Sequence, residues 1–74
     1  MLMPKLHVIK PAEILKALKK IEFVEVRRKG SHIQLKKGNL LVTVPFHNKD
    51  LNSNTLKSIL RQARITIDEL NEIL

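Results

Sequence analysis

The chain has 74 residues, no cysteine, and fourteen Lys and Arg against seven Asp and Glu, for a formal charge of +7. That length supports one domain spanning residues 1–74, and burying only about 60% of the unfolded surface excludes a deep interdomain cleft or a large enclosed cofactor. Disulfides and thiolate metal sites are excluded, no apolar run reaches the ~18 residues of a membrane span, and Met1 to Lys10 is too short and interrupted for a signal peptide. The expected setting is soluble and cytoplasmic, with no membrane partner.

The charge is unevenly placed. Between Glu25 and Asp50 there is no acidic residue, whereas Arg27, Arg28, Lys29, Lys36, Lys37 and Lys49 fall there with His32 and His47. After Arg64 the sign reverses with Asp68, Glu69 and Glu72. A continuous acid-free stretch points to a polyanionic partner, either nucleic acid or an acidic protein surface.

In chain order, Pro11 suits a first helical turn. Ile14, Leu15, Leu18 and Ile21 recur at helical spacing, with Lys16, Lys19 and Lys20 opposite and Lys10 as a poor cap. Phe23–Lys29, Ser31–Lys36 and Leu40–Pro45 read as three strands separated by Lys29-Gly30 and Lys37-Gly38-Asn39. A turn centred on Lys29-Gly30 puts Val26 opposite Ile33, Val24 opposite Leu35, Arg27 opposite His32 and Glu25 opposite Gln34. Val42 and Val44 join the Ile33 face, and Glu25, Arg27, His32, Gln34, Lys36 and Thr43 share the other. Leu56, Ile59, Leu60 and Ala63 form a second helical stripe. Thr66 to Glu69 is a capping box before a short last helix carrying Leu70, Ile73 and Leu74. The expected fold is α+β, α-β-β-β-α with a short C-terminal helix. Its three-stranded antiparallel sheet carries helices on one face, the arrangement of double-stranded-RNA-binding domains.

His32 is the candidate for chemistry. Imidazole, with a reference pKa of about 6.5, exchanges protons near neutral pH, and RNA cleavage needs a base for the 2′-hydroxyl and cations for the phosphate. Arg27, Arg28, Lys29 and Lys36 supply the cations. Ser31 either bonds the local backbone or contacts a phosphate, and His47 reads as a phosphate contact, a second acid-base group or a loop residue. Gly30 serves turn geometry, Phe23 belongs to the core and Phe46 to an exposed contact surface. His7 is read as inert. The few histidines among cations do not make a metal site, and no cofactor motif is present.

Phe23, Arg27 and Gly30-Ser31-His32, followed by Val44-Pro45-Phe46-His47 and Asn54-Thr55-Leu56-Lys57-Ser58-Ile59-Leu60, resemble the HicA toxin family over nearly the whole chain. The family carries Gly where Glu22 and Asn54 stand here. Asn54 is the milder change, because Asn tolerates left-handed backbone. The resemblance implies ribosome-independent mRNA cleavage with His32 as the catalytic residue. It also implies a co-encoded HicB-like antitoxin that blocks the site. The leading expectation is a slow, metal-independent endoribonuclease. The alternatives are a non-catalytic RNA-binding module of the same fold and a protein-interaction subunit whose charge serves only its antitoxin.

Overall fold

The structure, a computed structural model, describes residues 9–47 and 49–74; His7 lies outside them. Three helices and three strands follow in the order α1 (Pro11–Lys20), β1 (Val24–Lys29), β2 (His32–Lys37), β3 (Leu40–Pro45), α2 (Ser53–Ala63) and α3 (Ile67–Ile73). The strands form one antiparallel sheet in the order β1-β2-β3. The expected α+β architecture is the one observed.

Each helix begins where its sequence permits. Lys10 has no acceptor in its side chain, so its amide donates to the Glu13 carboxylate (3.0 Å) while its carbonyl accepts from the Glu13 amide. Asn52 caps α2 by accepting from the Thr55 amide at 2.8 Å. Thr66 and Glu69 close the reciprocal box foreseen for α3.

Helices α1 and α2 end alike. The Phe23 amide reaches the Leu18 carbonyl and the Glu22 amide reaches that of Lys19. The same pair of bonds recurs from Ile65 to Leu60 and from Arg64 to Arg61. This Schellman arrangement needs a left-handed residue, usually glycine. Here Glu22 (φ 76°) and Arg64 (φ 57°) take that role. Asn54, by contrast, lies within the first turn of α2, so left-handed tolerance has no part in its presence.

The core lies between one sheet face and the helices. Ile33, Leu35, Val42 and Val44 from β2 and β3 are buried against Ile14 and Leu18 of α1, Leu56 and Ile59 of α2, and Leu70 of α3. The Leu51 amide donates to the Ile9 carbonyl, joining the segments that precede α2 and α1. Gln62 of α2 accepts the outward Thr43 amide at 3.0 Å, which closes the β3 edge. Among the described residues no side chain caps the β1 edge in this way.

The β2–β3 pairing matches expectation, with Ile33 opposite Val44 and Leu35 opposite Val42 across a Gly38-Asn39 turn. The β1–β2 pairing does not. Its turn is Gly30-Ser31, so Lys29 faces His32, Arg28 faces Ile33 and Arg27 faces Gln34; a bulge at Val26 then sets Glu25 opposite Leu35 and Val24 opposite Lys36. Gly30 at the first turn position has φ +56°, a conformation glycine adopts freely and lysine does not. The expectation that Val24 and Val26 line the core is therefore corrected: they are 62% and 53% exposed. The shift is tolerated because no β1 side chain is buried, so apolar matching exerts no pull on its register.

Two stability outcomes follow. Glu22→Gly is expected to raise the denaturant midpoint by relieving left-handed strain of about 1 kcal/mol, with no change in m-value. Val26→Thr is expected to stay within about 0.5 kcal/mol of wild type in the same assay; a loss of about 1–3 kcal/mol would instead mean that this side chain is buried.

Candidate functional site

Paired residues on antiparallel strands share a face, with Cβ atoms about 5 Å apart. The open face therefore carries three rungs: Lys29–His32–Pro45, Arg27–Gln34–Thr43 and Val24–Lys36–Leu41. The first two rungs and the Gly30-Ser31 turn enclose an open groove of about 610 Å³ lined by Arg27, Lys29, Gly30, Ser31, His32, Gln34 and Thr43. His32 is exposed at its end, on the first residue of β2.

The shifted register changes who meets His32. Lys29, not Arg27, stands directly opposite, and Arg27 is one rung along. Glu25 leaves the open face for the side occupied by Leu35, where its carboxylate pairs with the Arg28 guanidinium at 3.3 Å. No carboxylate lines the groove. Its two cations thus act on an incoming anion without a competing acid nearby, and their charge is exposed to screening by salt.

The expected site residues divide accordingly. Arg27, Lys29, Ser31 and His32 meet in one groove. Lys36 is on the same face but a rung beyond it. Arg28 turns to the helix side, its guanidinium 5.4 Å from the centre of the Phe46 ring. His47 is exposed beyond the end of β3 and outside the groove. Gln34 and Thr43, placed on this face by strand alternation but given no role, prove to be its floor, offering an amide and a hydroxyl. Among the described residues no side chain hydrogen-bonds the His32 imidazole, so none fixes its tautomer. Nor do three or more His, Asp or Glu side chains gather there as a metal site.

The open face is thus a basic sheet surface with a histidine beside two cations. The family model described as HicA toxin of bacterial toxin-antitoxin matches residues 11–65, and the chain belongs to that family. The match runs from the start of α1 to the residue after the α2 turn and contains every candidate residue. No curated protein matches the chain. Family membership makes this the toxin of a toxin–antitoxin pair, with a HicB-type antitoxin as partner. No helix among the described residues is long and apolar enough to cross a membrane.

Titration with inorganic phosphate, followed by amide NMR, checks the groove as an anion site. Resonances of Lys29 to His32 are expected to move, while those of Val24 and Leu41 on the far rung stay in place. Uniform shifts across the sheet would mean only diffuse attraction.

Proposed function

We propose that this toxin is a metal-independent endoribonuclease that cleaves mRNA without the ribosome, with His32 as its acid-base group. The observation that supports it is the placing of His32 beside Lys29 and Arg27 in a groove free of carboxylates. Such a groove attracts a phosphodiester but offers no carboxylate to hold Mg²⁺.

The chemistry is an internal transfer. Neutral imidazole takes the 2′-hydroxyl proton, O2′ bonds to phosphorus, and the P–O5′ bond breaks. The products are a 2′,3′-cyclic phosphate and a 5′-hydroxyl, whose proton comes from water; among the described residues His32 is the one acid-base side chain lining the groove. Arg27 holds a phosphate bidentately and Lys29 stabilises the charge that builds on the phosphorane oxygens. The Ser31 hydroxyl donates to a phosphate oxygen. Lys36 and His47 contact nucleotides further along the strand. With one acid-base group in place of a pair, turnover is slow. An acidic antitoxin surface competes for the same cations.

Inducing the wild-type chain without antitoxin is expected to arrest growth and leave new RNA ends bearing cyclic phosphates. His32→Ala, folded to the same extent, should lower cleavage by about 10²–10⁴-fold with RNA affinity retained. Lys29→Ala should instead weaken binding and reduce the salt slope by about 0.7. Products with 5′-phosphates, or an absolute requirement for a divalent metal, would refute the mechanism. Retained RNA binding without cleavage by any variant would leave a binding module.

A further inference from the structure

A second groove, of about 500 Å³, lies on the helix side of the sheet. Ala12, Leu15 and Phe46 line it with Lys16 and Lys19, and no acidic residue does. Lys20 contributes only its stem, since its ammonium donates to the Ile73 carbonyl at 3.1 Å. A backbone hydrogen bond links the two linings at the β1–β2 turn: Ser31 lines the first groove, Phe46 the second, and the Phe46 amide donates to the Ser31 carbonyl.

Phe46 stands out by chemistry. The chain has two aromatic residues, of which Phe23 is 3% exposed in the core and Phe46 is 38% exposed. The Phe46 ring carries the Arg28 guanidinium 5.4 Å from its centre, and Glu25 holds Arg28 from behind. Aromatic rings and guanidinium planes are the two surfaces on which unpaired nucleobases stack. Two uncompensated lysines follow on α1, at a spacing of three residues that puts both on one helix face. A strand leaving the His32 groove past Ser31 thus meets a stacking surface and then two cations.

We propose that Phe46, with Arg28 over its ring and Lys16 and Lys19 beside it, is a subsite that stacks one nucleobase of single-stranded RNA flanking the phosphate at His32. The subsite rests on the reading of the His32 groove as an RNA site. It gives this toxin a grip on unpaired sequence outside the cut, indifferent to base identity because every base has a π-face.

The test uses the full chain with 2′-deoxy, uncleavable single strands: a trinucleotide confined to the first groove and a dodecamer that spans both. Each carries 2-aminopurine at successive positions, and the chain has neither Trp nor Tyr to interfere. One flanking position of the dodecamer is expected to be quenched. Phe46→Ala should weaken the dodecamer about tenfold and leave the trinucleotide within about twofold. Phe46→Tyr should restore binding, whereas Phe46→Leu, which keeps apolar cover without a π-face, should not. Replacing Lys16 and Lys19 with alanine should lower the salt slope by about 1.4.

Wild-type affinity for the dodecamer in Phe46→Leu, or equal loss for both oligonucleotides in Phe46→Ala, would overturn the proposal. So would an acidic peptide whose binding needs Phe46 when the dodecamer's does not, since the groove would then dock protein. Cleavage is read separately on ribose substrates. Intact ribose RNA with Phe46-dependent quenching would refute the nuclease reading and keep the subsite; normal cleavage with no Phe46 dependence would do the reverse.

Discussion

The two-residue turn at Gly30-Ser31 controls the composition of the His32 groove. A hairpin that closes over two residues fixes the register of the rungs next to it, and the left-handed φ of +56° at its first position suits glycine. From that turn Lys29 is carried to His32, Arg27 to Gln34, and Arg28 to the far side. The bulge at Val26 then turns Glu25 to the helix side, where it pairs with Arg28. Turn and bulge together therefore set two cations beside a histidine and remove the carboxylate that would have opposed them.

The strands divide the work unevenly: β2 and β3 serve both the core and the groove, β1 the groove alone. β2 and β3 supply the buried face on which the helices rest, and α2 closes the β3 edge through Gln62. β1 buries nothing. Its cations can crowd together there without desolvation, because exposed charges repel weakly in water. The cost is an uncovered edge strand carrying exposed Val24 and Val26, a feature soluble proteins usually blunt with charge or a bulge. Both devices are present: Arg27, Arg28 and Lys29 lie on the strand and the bulge falls at Val26.

The departures from the family pattern acquire distinct meanings. Glu22 sits at the left-handed end of α1, so the glycine expected there has a backbone reason and its loss costs strain. The chain continues through Phe23, whose buried ring is covered by the Lys37 ammonium at 5.8 Å from its centre, and this anchor holds the turn in place. Asn54 is helical and next but one to the Asn52 cap, so its exchange makes no special demand on the backbone.

Hydrophobic periodicity and turn residues by themselves determined the element order, the helix stripes, the capping box at Thr66 and the pairing of β2 with β3. In each case one face is buried, and burial enforces the pattern that the residues display. They also determined the histidine and the acid-free stretch around it, because spacing and charge are read directly from the chain. Tertiary structure alone decided the register of β1. Matching Val24 and Val26 to Ile33 and Leu35 assumes a covered face, and no β1 side chain is buried, so turn geometry prevailed over apolar matching. With the register came the pairing of Lys29 with His32 and the meeting of Arg28 with Phe46 on the helix side of the sheet. Contacts of that kind depend on which way a strand faces, and for a strand exposed on both sides residue pattern carries no such signal.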